Sequence, residues 1–209
     1  MPFGQNIYKP HEPVRHVYFP HNAMISIVAN TAEGESVEVG VIGREGMAGG
    51  PALIGADGIS PHESMVQLAD SGMRMRAEVA REEFKRGGAF QDLLLRFMQA
   101  KNVQIARSAA CNRLHTVEER LARWLLMTHD RAASDELPLT QEFIAMMLGC
   151  RRAGITSAAI TLQGDGLISY QRGHITILDR AGLEDFTCEC YSIVKAEYDR
   201  LLKPRGESI

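Results

Sequence analysis

From Gln91 to Arg131 the chain contains neither proline nor glycine. A breaker-free stretch of that length in a soluble protein reads as one long helix, or as two helices with a single break near His115-Thr116. Within it Leu95, Met98, Asn102, Ile105, Ala109 and Asn112 recur at alternating steps of three and four, the spacing of a coiled-coil seam with two polar members. Such a stripe either packs on the chain's own barrel or pairs two chains. Polar residues at seam positions weaken a plain core but can fix register between two helices, so these six are expected at a dimer interface.

In front of the rod, from Val14 to about Val79, short runs such as Val17-Tyr18-Phe19, Met24 to Val28 and Val37 to Ile42 alternate with turn-formers. They read as short strands of a sandwich, jelly roll or small barrel. Met73-Arg74-Met75-Arg76-Ala77-Glu78-Val79 alternates strictly and predicts one face on a core and one in water. Helical sequence begins near Glu82, Glu83 and Phe84.

Behind the rod, Thr140 can cap a helix running from Gln141 through Leu148 that Gly149 ends. A second helix is expected from about Arg151 to Gln163, closed by Gly164-Asp165-Gly166. Leu167 to Tyr170 and His174 to Leu178 flank Gln171-Arg172-Gly173 and predict a β-hairpin. Helix, glycine-bearing turn, helix and hairpin make a winged helix-turn-helix. The second helix of such a pair enters the major groove, and its first residues read the bases. Here those are Arg151 and Arg152, with Thr156 and Ser157 placed outward and Ile155, Ala159 and Leu162 inward. Arg172 on the wing can meet phosphate, and Thr140 and Gly154 are also expected among the DNA-binding residues.

Charge fits this division of labour. The net charge is only -3, but residues 11 to 87 hold eleven acids against seven bases. Residues 96 to 131 hold seven bases (Arg96, Lys101, Arg107, Arg113, Arg120, Arg123, Arg131) against three acids (Glu118, Glu119, Asp130). No apolar run approaches the ~20 residues needed to cross a bilayer, and the first residues lack a basic segment followed by an apolar core. A cytoplasmic protein without membrane association is expected.

Gly149-Cys150-Arg151-Arg152-Ala153-Gly154-Ile155 through Leu162-Gln163-Gly164-Asp165-Gly166-Leu167-Ile168 resembles the DNA-binding helix and following turn of the Crp/Fnr family of bacterial regulators. The likeness extends to Thr116 through Leu126 and, more loosely, to the β-rich front. It implies an α+β protein: a β-roll like the cyclic-nucleotide-binding jelly roll (residues 1–88), a dimerisation helix (89–114), a winged helix-turn-helix (115–182) and a helical extension (183–209). It also implies a homodimer on double-stranded DNA with a two-fold symmetric site, and RNA polymerase as a candidate further partner. The Arg-Glu-Arg that family members commonly present to bases corresponds here to Arg152, Ala153 and Ser157, so the target sequence should differ from the family's best-known sites. Gly154 inside the recognition helix costs ~1 kcal/mol relative to Ala.

Cyclic-nucleotide members carry a phosphate cassette that aligns here with Gly49-Gly50 and Glu63-Ser64. A carboxylate where the family has an arginine repels an anionic phosphate. The effector is thus unknown, and cyclic AMP is not expected. No cofactor and no metal are expected either. Cys188 and Cys190, one residue apart, lack the remaining ligands of a metal site in the tail, while Cys111 and Cys150 read as small buried residues. His11, His16 and His21 recur at fives, not at the twos that would put them on one strand face. Two other readings stay open: a protein-interaction module that has lost DNA binding, and a cupin-like metalloenzyme. The latter needs two or three histidines inside the barrel, where only His62 lies between residues 22 and 87.

Overall fold

The computed structural model describes residues 1–55 and 57–203. The N-terminal half is a roll of short strands: β1 (Asn6–Tyr8), β2 (His16–Pro20), β3 (Met24–Asn30), β4 (Ser36–Ile42), β5 (Glu63–Leu68) and β6 (Gly72–Arg76), with a one-turn helix α1 (Pro51–Ile54) between β4 and β5. Four strands form an antiparallel sheet in the order β1-β5-β3-β4, and β2 pairs with β6 as a separate ribbon. Helices α2 (Ala77–Arg86), α3 (Ala89–Leu114) and α4 (Val117–His129) follow. The C-terminal half adds β7 (Glu136–Leu137), α5 (Gln141–Leu148), α6 (Arg152–Gly164), β8 (Ile168–Gln171), β9 (His174–Ile177), α7 (Arg180–Phe186) and α8 (Cys190–Leu202). This is the α+β arrangement expected: β-roll, long helix, winged helix-turn-helix.

The breaker-free stretch is two helices. α3 runs 26 residues, ~39 Å at 1.5 Å per residue, and opens at His115. Thr116 then starts α4 with a capping box, its hydroxyl accepting from Glu119 N while the Glu119 side chain accepts from Thr116 N at 2.8 Å. α3 lies directly on the roll. A Cβ built on Gly46 would stand 2.1 Å from the Phe97 ring, so only glycine allows this approach. Gln104, buried on α3, accepts from Val41 N at 2.8 Å and donates to the Tyr198 hydroxyl at 3.2 Å, joining the roll, α3 and α8.

β3 is the hinge of the packing. Successive strand side chains point to opposite faces, and here each face serves a different core. Ile25 and Ile27 pack with Ile42, Ala48 and Phe97 inside the roll. Met24 and Val28, with Val41 and Leu68, pack with Leu121, Leu125, Phe143, Ile144 and Met147 of the helical half. A polar chain crosses the same boundary. The Trp124 indole on α4 donates to Glu38 Oε1 at 2.8 Å, and Ser26 Oγ lies 2.7 Å from Glu38 Oε2 and 2.5 Å from Gln67 Oε1. One hydroxyl hydrogen cannot serve both acceptors. Burial pushes the Glu38 carboxyl up to about 7, and a protonated Glu38 donating to Ser26 frees Ser26 to donate to Gln67.

Several expectations are corrected. The alternating Met73–Val79 segment is a strand only to Arg76, and every residue of β6 is exposed, Met73 by 60%. No residue of this ribbon strand is buried, and helix α2 begins at Ala77. Three of the seven bases between residues 96 and 131 are buried. Arg131 pairs with Glu45 at 2.7 Å beneath the Tyr198 ring, and Arg120 donates to the Leu148 carbonyl. Much of the basic excess therefore organises the interior. The division at residues 182–183 falls inside α7, and the extension 183–209 lies outside the described residues beyond 203. Finally, Cys188 and Cys190 do not stand alone: Cys111 and His115 come down from α3 to join them.

Candidate nucleic-acid interface

Thr140 caps α5 by accepting from Phe143 N at 3.2 Å, and Gly149 ends that helix in the left-handed conformation (φ 58°, ψ 44°). The chain then turns, and α6 leaves at 108° to α5. Although these two helices are apolar, no single described helix is long and apolar enough to cross a membrane.

On α6, Ile155, Ala158, Ala159 and Leu162 are buried, seating the helix on α4 and α5. The opposite side presents Ala153, Ser157, Ile160 and Thr161, all exposed, with Ile160 open by 63%. Arg151 and Arg152 are exposed at its N-terminus, where no side chain caps the free backbone N–H groups. That end carries the positive pole of the helix dipole and free donors, a fit for an anion. Arg152 Nη1 lies 3.6 Å from Glu142 Oε2, with the two side chains 67% and 80% exposed. A pair so open is worth at most about 1 kcal/mol and yields readily to a stronger partner.

The hairpin β8–β9 joins through Arg172 and Gly173 at φ 49° and 84°. Two consecutive positive φ values are those of a type I′ turn, whose twist matches the flanking strands. Arg172 is exposed at the tip, and Thr140 lies beside it: a Cβ on Gly173 would stand 3.4 Å from the Thr140 methyl. The sequence-designated Arg151, Arg152, Ser157, Arg172 and Thr140 are thus all exposed, with Thr140 beside the wing tip.

Two designated residues face elsewhere. Thr156, expected outward, is half-buried and donates to Gln141 Oε1 at 2.8 Å, tying α6 to α5. Gly154 is turned toward α4, since a Cβ there would stand 3.9 Å from Val117 Cγ1. Helical spacing alone places these positions within one residue's rotation of the exposed face, and the α4 and α5 contacts decide. Ile160 went unmarked in the sequence, although it lies three residues beyond Ser157.

The six seam residues divide. Leu95, Asn102, Ala109 and Asn112 are exposed, whereas Met98 and Ile105 are half-buried against the roll beside Gly50 and Gly40. The two parts of the degenerate cassette have separate local roles. Gly49 (φ 104°) passes close to Val17, and Glu63 accepts from Asn30 Nδ2 at 3.1 Å. Ser64 is buried on β5. A cavity of about 880 Å³ lies between the two halves, lined by Phe3, Leu68, Leu137, Phe143, Met146 and Arg152 among others.

Residues 119–186 match the family model of the Crp-like helix-turn-helix domain. No curated protein sequence matches the chain. Among solved structures, FixK2 from Bradyrhizobium japonicum is similar at a TM-score of 0.74 with 15% identity, covering 89% of this chain and 94% of that one. A transcriptional regulator of the CRP family from Thermus thermophilus follows at 0.72, with 18% identity over 89% and 94% of the two chains. A protein from Eubacterium rectale assigned to the crp/fnr family of transcriptional regulators gives 0.69, with 20% identity over 88% and 86%.

Proposed function

We propose that this chain, which carries a Crp-like helix-turn-helix domain on the fold of the Crp/Fnr regulators, is a sequence-specific DNA-binding transcription regulator and acts as a homodimer. The observation that carries the reading is the N-terminal end of α6: exposed, uncapped, bearing Arg151 and Arg152, and flanked by the Arg172 wing tip. An arginine fork can donate two hydrogen bonds to guanine, and Ile160 offers the apolar surface that a thymine methyl accepts. Two chains paired along the exposed part of the α3 stripe would present two such helices to half-sites one DNA turn apart, ~34 Å. RNA polymerase is a further candidate partner.

Cyclic AMP is not the effector in this reading, because Glu63 stands where a phosphate needs a cation. The cavity between the halves is the better place for an effector, since α5 and Arg152 form part of its wall. A ligand there would shift the pose of α6 to the extent that it binds two poses unequally. The neighbours' regulator fold supports a non-enzymatic role.

The test is selection of bound fragments from a random DNA library by the purified full-length chain, followed by binding anisotropy across a salt series. A two-fold symmetric consensus with salt-sensitive affinity is expected. No enrichment, with or without cell extract, overturns DNA recognition and leaves the protein-interaction module.

A further inference from the structure

We propose that Cys111, His115, Cys188 and Cys190 form a closed four-ligand site for one zinc-class ion, which clasps the end of α3 to the start of α8. The four ligand atoms all lie within 4.8 Å of one another. Cys111 Sγ is 3.6 Å from Cys188 Sγ, and Cys190 Sγ is 3.8 Å from His115 Nδ1. A tetrahedral zinc ion, with Zn–S of ~2.3 Å and Zn–N of ~2.0–2.1 Å, sets neighbouring ligand atoms ~3.6–3.8 Å apart. A disulfide instead needs ~2.05 Å between sulfurs.

The chain supplies these ligands in two pairs. Cys111 lies in the last turn of α3 and His115 caps that helix, its backbone N–H donating to the Cys111 carbonyl at 3.2 Å, which keeps the two residues together. Cys188 and Cys190 flank Glu189 at the entry to α8. The three sulfurs are buried and the imidazole is nearly so. Three thiolates and one imidazole are the donor set of a structural zinc site, with no position left open for substrate.

Two neighbouring groups match that assignment. Glu189 Oε2 lies 3.3 Å from His115 Nε2, so the carboxylate holds the proton on Nε2 and leaves the Nδ1 lone pair facing the sulfurs. Arg123 is 4% exposed, its Nε has no partner among the described residues, and its side-chain contacts are the neutral Ser108 and Met127. Its charge acts on Cys111 and Cys190, and also on Glu38, whose carboxyl burial pushes toward the neutral form. A buried cation needs a counter-charge. Three thiolates around a divalent ion carry a net charge of about -1, which this guanidinium balances. On binding, the three thiols release their protons to solvent and the ion takes their place.

The experiment uses the full-length chain, purified with reductant. Elemental analysis after dialysis should give one zinc per chain. Co²⁺ added to the stripped protein should saturate at one equivalent with the near-ultraviolet thiolate charge transfer and visible bands of tetrahedral cobalt. Glu189→Gln should keep the fold and weaken the cobalt affinity ~10–100-fold, and Cys188→Ser should lose equimolar retention. Folded, reduced wild-type protein that holds neither ion overturns the site, as does an intact mass showing a Cys111–Cys188 disulfide in cells lysed with a thiol-blocking reagent. If Cys188→Ser fails to fold, the wild-type cobalt titration decides. None of these readouts involves DNA, so the site and the regulator reading can fail separately.

Discussion

Glu38 shows how a single residue couples the halves to pH. Its carboxyl titrates at about 7 in the folded protein and at 4.5 ordinarily. Between those values the unfolded chain has lost a proton that the folded chain keeps, so stability falls as pH rises from about 4.5 to about 7 and levels off above. The whole effect is at most about 3 kcal/mol. Urea midpoints taken across that range should decline in the wild type and stay flat in Glu38→Gln; equal slopes would exclude Glu38 as the source. Gly154 gives an independent residue-level test. Its surroundings leave room for a methyl, so Gly154→Ala should raise stability by ~1 kcal/mol in chemical unfolding. The Thr140 cap and the exposed position of Arg151 and Arg152 at a helix start were legible because both are local to a helix end. Thr156 and Gly154 were not, because α5 and α4 determine which way those positions face.

At the level of elements, α6 and the wing should separate in their effects on DNA. Arg152→Ala should relax discrimination at one position of each half-site by ~1–3 kcal/mol, whereas Arg172→Ala should weaken all sequences alike. Unchanged sequence preference in Arg152→Ala would remove that residue from base reading. For α3, Leu95 is the cleanest probe of pairing, being 51% exposed while Ile105 also leans on the roll. Leu95→Glu should give monomers by light scattering with native circular dichroism, and a persistent dimer would move the interface off this stripe. The helices and the break at His115-Thr116 were readable from breakers and periodicity. The exposure of β6 was not, because alternation says that two faces differ without saying that anything covers either one.

Over the whole molecule, the core shared by β3, β5, α4 and α5 argues against two separately melting halves. Thermal unfolding followed by Trp124 fluorescence and by far-ultraviolet circular dichroism should coincide in one transition, since the indole reports the boundary and the dichroism the full fold. Two resolved transitions would show that the boundary is weak. The sequence pointed to separate roll and helix-turn-helix units because texture changes along the chain. The union between them was hidden, since contacts between strands and helices a hundred residues apart leave no periodic trace. The meeting of Cys111 with Cys188 across 77 residues is hidden for the same reason. That meeting also has a consequence for design. The winged helix-turn-helix is strung between two residues whose sulfurs lie 3.6 Å apart, so its two ends lie side by side. Removing residues 112–187 would bring α3 and α8 together across a short gap, yet it would also take away the α4 and α5 side chains that complete the roll's outer core, so the closeness of the two ends marks a loop pinned at its base and not a detachable domain.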